Sequence, residues 1–432
     1  MKRLLLQFIF TAVAIIPIFA VNSYDVEIDG LYYQYKTVTL SNYQTPAIIG
    51  VVVTGYKPEC SNASSDLVVP SVIDTEEGQF KVVELGQSAF EGIELNSLTL
   101  PEGIIGLGKA AFKNAKINEE LVIPSTIRDI YDSQFVEWEN MTNPTPVTYT
   151  DEGIFDGMEG YGVRFNAAEV GLRLVVNNAK FEHFNASQLT KTRLFVMNCP
   201  NLKTLKLCQL DLMYCRINYL GRNLKRNCYF GAYNCPELSE VEISPRALTV
   251  KECFYKCPKI HKAIFDDGDN SIVAGPLVDD VIYYSLPLFE EEMLIASYTG
   301  MFQGNASKID TLYVGRNFTV MEHNYHLYSY DHHYNNYEGL KHIVFGEGVT
   351  NIEEWKLIIY STQLESIVMK CPAPPYGLED SFQGDITQTA TLYIPQGSLS
   401  AFKNDPKWGQ FENIVELPED ELNEKANVTI NQ

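Results

Sequence analysis

The densest run of chemically able side chains lies between Met321 and Glu338. It carries His323, His326, His332 and His333 together with Tyr325, Tyr328, Tyr330, Tyr334 and Tyr337. Imidazoles at this density are able to hold a transition metal. Tyrosines offer something different, a large amphipathic contact area at low rotamer cost, and their rings also stack on sugar faces. The tyrosine content favours recognition, so Tyr325, Tyr328, Tyr330, Tyr334 and Tyr337, with His332 and His333, are the expected partner-binding residues. An adventitious metal site and a plain self-packed insertion remain the alternatives. Asp266-Asp267-Gly268-Asp269-Asn270 has the oxygen ligands and glycine of a calcium loop, but no closing bidentate Glu, and these residues are ordinary turn formers. Gly103 to Lys109 stops one residue short of a phosphate-binding loop, because Ala110 stands where Ser or Thr would hold magnesium. There is no Gly-x-Ser-x-Gly elbow and no His-Glu-x-x-His pair. No catalytic residue, no metal ligand set and no cofactor is expected, and the chain reads as non-enzymatic.

The cysteines number nine, an odd count. Cys199, Cys235 and Cys257 each precede a proline, and Cys253 stands four residues before Cys257. A small polarizable thiol suits a tightly packed corner, so these four are expected to be buried and reduced. Cys208, Cys215 and Cys228 fall outside that pattern, and a disulfide among them stays open. No pair of C-x-x-C steps points to zinc. Acidic residues outnumber basic ones by 55 to 33, a formal net charge of −22. That field opposes nucleic acid, whose binding depends on neutralising phosphates, and it also opposes anionic membrane surfaces.

The elements that must position these groups are announced by repetition. Leu95-x-x-Leu98-x-Leu100-Pro101 is followed 23 residues later by Leu121, Ile123 and Pro124. After a shift of 245 the same slots hold Leu340, Ile343 and Phe345. Leu85-Gly-Gln-Ser-Ala-Phe90 returns as Leu107-Gly-Lys-Ala-Ala-Phe112. Weaker copies follow at Leu202, Leu238, Ile260, Ile309, Leu364 and Thr389. A unit of this length has one apolar side that it cannot bury alone, so neighbouring units must stack and share a core. Leu95, Leu98, Leu100, Phe112, Leu121, Ile123, Leu340, Ile343 and Phe345 are the expected repeat core.

With its Cys-x-x-Leu steps, this layout resembles the BspA-like leucine-rich repeat proteins of bacterial surfaces. Asp29-Gly-Leu-Tyr-Tyr33 with Val51–Tyr56 is similar to that family's N-terminal β cap. Thr391-Leu-Tyr-Ile-Pro395 with Trp408 and Phe411 is similar to its last coil. The resemblance implies a leucine-rich repeat solenoid of short strands with irregular or short helical returns, and adhesion to host or neighbouring-cell proteins. The first twenty residues, with Lys2 and Arg3 before an apolar run to Ala20, read as a secretory signal peptide, with a membrane-anchoring helix as the alternative. The expected organisation is a signal peptide at 1–20, a β-rich cap at 21–80 and a solenoid at 81–415. Insertions near 131–170, 266–300 and 315–338 interrupt it, and a loose acidic tail occupies 416–432. The expected role is exported or cell-surface protein recognition, with glycan binding, a structural envelope role and, further off, hydrolysis as alternatives.

Overall fold

The computed structural model describes residues 25–38, 48–60, 62–130, 153–166, 173–189, 193–207, 213–219, 222–228, 232–243, 249–250, 254–255, 257–268, 272–274, 281–285, 294–298, 309–320, 339–352, 363–376, 382 and 385–431. It is a repeat fold of many strands and few helices.

The apolar spacing dictates one strand per unit, and the strands form a single parallel ladder of thirteen. In spatial order it runs from Asn62–Val68 through Glu94–Thr99, Lys116–Ile123, Glu159–Phe165, His183–Asn185, Thr204–Leu207 and Glu240–Ile243. It continues through Lys262–Phe265, Thr311–Val314, His342–Phe345, Ser366–Met369 and Thr391–Pro395 to Asn413–Leu417. Adjacent parallel strands cannot be joined by a tight turn, so each unit must travel round the core before it returns. In the motif L-x-x-L-x-L the three apolar residues point into that core. Leu95, Leu98, Leu100, Leu121, Ile123, Leu340, Ile343 and Phe345 are all buried there.

Parts of the return path form shorter ladders. Arg173–Asn177, Arg193–Met197, Ala232–Tyr233 and Phe254–Tyr255 pair in parallel, as do Thr249–Val250, Ile272–Ala274 and Phe318–Val320. At the N-terminal end Val26–Ile28, Leu31–Val38 and Ile48–Tyr56 pair antiparallel. Ile48–Tyr56 then pairs in parallel with Gly78–Leu85, which leads on to Gly106–Leu107 and Asp129–Ile130. At the corners Asn114, Asn178, Asn198 and Asn234 adopt positive φ of 53–57°, a conformation asparagine tolerates better than bulkier residues. The corner side chains also link units, since Asn198 Nδ2 donates to Asn177 Oδ1 at 2.9 Å and Asn234 Nδ2 to Asn198 Oδ1 at 2.8 Å. Inside, Phe112 stacks between Phe90 and Phe155 at centroid distances of 6.0 and 5.8 Å.

Three features depart from the expectations. The repeat resumes well before 170: Ile154, Phe155, Val163 and Phe165 are core residues, and Glu159–Phe165 sits within the long ladder. An antiparallel hairpin, Met213–Tyr219 with Arg222–Cys228, forms where no insertion was expected, whereas a second, Val281–Ser285 with Leu294–Tyr298, lies within the insertion expected near 266–300. The C-terminal segment is not loose. Glu419–Ile430 is an α-helix with Leu422, Ala426 and Thr429 buried, because an apolar sheet surface lies beneath it. Residues 1–20 fall outside the described residues, and among the described ones no helix is long and apolar enough to cross a membrane.

Candidate functional site

The residues between the core positions of each unit face away from the core and form three rows across the long ladder. The first row holds Tyr161, Glu182, Lys203, Ser239, His261, Asp310, Lys341 and Glu365. The second holds Gly162, His183, Thr204, Glu240, Lys262, Thr311, His342 and Ser366. The third holds Arg164, Asn185, Lys206, Glu242, Ile264, Tyr313, Val344, Val368 and Tyr393.

This outer face has two halves. From Glu94–Thr99 to Glu240–Ile243 it is polar and its charges are paired between units. Lys116 reaches Glu94 at 2.8 Å, Arg164 reaches Glu120 at 2.8 Å, Lys180 reaches Glu159 at 3.1 Å and Lys203 reaches Glu182 at 2.7 Å. The hydrogen bond from Lys203 holds the Glu182 carboxyl below the usual range. Exposed pairs of this kind contribute at most about 1 kcal/mol each, so their main effect is on surface chemistry and register. Tyr161, 49% exposed, is the one tyrosine in the first row, which holds no Phe or Trp. Its ring lies against that of His183 with centroids 4.4 Å apart. Burial lowers the His183 pKa, and its Nδ1 lies 2.8 Å from Thr204 Oγ1.

From Ile264 onward the third row turns apolar, and the helix Glu419–Ile430 covers it. Twelve residues rise about 18 Å, the width of about four strands, and the helix crosses the strands from Thr391–Pro395 back to Thr311–Val314. Leu422 and Ala426 pack on Tyr313, Val344 and Val368, with Ile264, Tyr393 and Ile430 at the margin. Lys425 Nζ sits 4.7 Å from the centre of the Tyr393 ring. Glu419, Asp420 and Glu421 occupy the first turn, where the helix dipole favours negative charge. The fit is imperfect, because the Thr429 hydroxyl is buried without a hydrogen-bond partner among the described residues.

A carboxyl cluster marks the border between the halves. Burial, then the neighbouring Glu242 carboxyl, raise the Asp266 pKa to about 7. Lys206 pairs with Glu242. Asp267 Oδ2 accepts a 2.6 Å hydrogen bond from the Tyr313 hydroxyl. The first residues of the suspected calcium loop are therefore engaged with other side chains. Among the described residues no three His, Cys, Asp or Glu side chains are grouped to hold a metal.

Tyr325, Tyr328, Tyr330, Tyr334, Tyr337, His332 and His333 lie outside the described residues, as do His323, His326, Cys208 and Cys253. Cys199, Cys235 and Cys257 are buried and form no disulfide among the described residues. Burial and the Cys235 thiol push Cys199 up, while the hydrogen bond with Cys235, then burial, push Cys257 up, so both stay as thiols. In the first hairpin the backbone of Cys228 pairs with Met213 and that of Cys215 with Arg226. Phe112 is a core residue. The outer rows escaped the sequence reading, although the x positions of the motif mark them once the repeat is in register.

A family model of the BspA type leucine-rich repeat region matches residues 76–168, in six copies. No curated protein matches the chain. Among solved structures, the pneumococcal vaccine antigen PcpA is similar at 10% identity, over 91% of this chain and 98% of that one, with a TM-score of 0.27. A leucine-rich cell surface protein of Faecalibacterium prausnitzii A2-165 has 14% identity, covering 94% and 98%, with a TM-score of 0.25. A leucine-rich repeat protein of Bacteroides ovatus ATCC 8483 has 13% identity, covering 91% and 100%, with a TM-score of 0.22. Likenesses of this size assign no function.

Proposed function

We propose that this chain, a carrier of BspA-type leucine-rich repeats, is an exported, non-enzymatic recognition protein that binds extracellular or cell-surface proteins. In this reading residues 1–20 are a signal peptide, 21–80 a β-rich cap and 81–415 a solenoid. The Tyr/His insertion at 321–338 supplies adaptable contacts. The observation that carries it is the division of the outer face: among the described residues one half is uncovered, polar and laced with paired charges, while the other is already covered. Binding surfaces resemble the open half, since a recognition face presents polar rims and a few aromatic anchors and does not leave large apolar areas in water.

The test is solid-phase binding of the secreted chain to a panel of matrix and cell-surface proteins. One variant carries Glu182→Ala, Lys203→Ala and Lys206→Ala, and a second carries Tyr328, Tyr330, Tyr334 and Tyr337 all changed to Ala. Saturable binding that weakens at least about tenfold in either variant supports the reading and locates the contact. A chain that binds none of the panel overturns it.

A further inference from the structure

We propose that Tyr161 and His183 form a shelf on the open half of the sheet that binds a neutral, hydroxyl-rich sugar ring. The argument begins with two glycines. Gly160 has φ of 127°, and a Cβ there would collide with the carbonyl oxygen of Ile117. A Cβ on Gly162 would collide with the carbonyl oxygen of His183. The strand Glu159–Phe165 is therefore forced close to both neighbours, and its register shifts between Gly160 and Gly162. Such irregularities in a ladder re-aim a side chain. The side chain between the two glycines is Tyr161. Because Gly162 fills the second-row position with no side chain, nothing separates the Tyr161 ring from the imidazole of the next unit. The result is an exposed aromatic surface in a row that is otherwise polar.

The surroundings select the ligand. The carboxylates whose charge acts on His183 are Glu182, Glu240 and Glu120. Each is already paired, with Lys203 at 2.7 Å, Lys262 at 3.1 Å and Arg164 at 2.8 Å. A partner's arginine would have to displace one of these cations to gain a counter-charge. A sugar ring has no such requirement. Its weakly positive C–H face packs on the negative face of an aromatic ring, and its hydroxyls find acceptors and donors in Glu182, Lys203 and the imidazole. Thr204 holds that imidazole in place through Nδ1, and its Nε2 lies 4.0 Å from Glu182. This site does not depend on the protein-binding role proposed above.

The experiment is calorimetric titration of the whole chain with neutral gluco-, galacto- and N-acetylglucosamine oligosaccharides, and with a hexa-arginine peptide. Binding of at least one neutral oligosaccharide is expected, unchanged between about 50 mM and about 500 mM salt because the ligand carries no charge. Tyr161→Ala, with its circular dichroism unchanged, should weaken it at least about tenfold, whereas Tyr161→Phe keeps the ring and the affinity. Failure of every neutral oligosaccharide to bind, equal binding by Tyr161→Ala, or salt-sensitive binding of the arginine peptide alone each overturns the proposal.

Discussion

Asp266 shows how little of a residue's chemistry is carried by its own neighbours in sequence. Read in isolation, Asp266-Asp267-Gly268 is a turn or a metal loop. In the fold the side chain is half-buried beside Glu242, a strand away, and its pKa rises to about 7. The folded state therefore holds this proton more tightly than the unfolded chain. The group's favourable contribution is complete below the ordinary carboxyl range and is lost as pH rises through about 7. Asp266→Asn mimics the protonated form. It should raise the melting temperature by a few degrees at alkaline pH, with the gain shrinking as pH falls through about 7 and vanishing only below the ordinary carboxyl range. Thermal denaturation followed at both extremes checks this, and an equal shift at both would show that the proton is not involved. The core slots were legible at this scale because Leu95, Leu98 and Leu100 recur with a fixed period. The pairing of Asp266 with Glu242 was not, since it depends on the register between two units and not on either one.

The C-terminal helix shows the same limit one level up. Residues 419–430 are mostly acidic and polar, and only Leu422, Ala426 and Ile430, at intervals of four, hint at an apolar face. An isolated helix of this length is marginal in water. What stabilises it is the surface beneath, and that half of the signal lay elsewhere in the chain. The strands Thr311–Val314, His342–Phe345 and Ser366–Met369 are buried nearly throughout, the mark of strands covered on both faces. The earlier strands alternate polar and apolar residues because only one face is covered. Thr429 is the flaw in this contact, with a fully buried hydroxyl that has no partner among the described residues. Thr429→Val keeps the shape and removes the polar atom, so it should stabilise the protein by about 1 kcal/mol, measured by chemical denaturation. A loss of stability would mean that the hydroxyl has a partner when folded in water.

Across the whole molecule the long sheet links unit to unit, and each unit touches chiefly the next. Stability in such an array is a sum of unit terms and nearest-neighbour terms, so damage should stay near its origin. Phe155 and Leu422 make a fair test. Phe155 joins the phenylalanine stack with Phe112 and Phe181 below the polar half, whereas Leu422 anchors the helix on the covered half. The strand after Phe155 and the strand His342–Phe345 lie six steps apart in the sheet, about 30 Å at the usual strand spacing. Phe155→Ala should cost about 3–5 kcal/mol and Leu422→Ala about 2 kcal/mol, the lower end because the helix lies at the surface. With no shared partner, the double variant should equal the sum within about 0.5 kcal/mol. Amide exchange should rise around residues 153–189 in the first variant and around 419–431 in the second, with little overlap. A double variant far from the sum would show that the sheet transmits strain along its length. In that case a ligand on the polar half would also loosen or tighten the helix on the other, and the two faces could no longer be treated as separate.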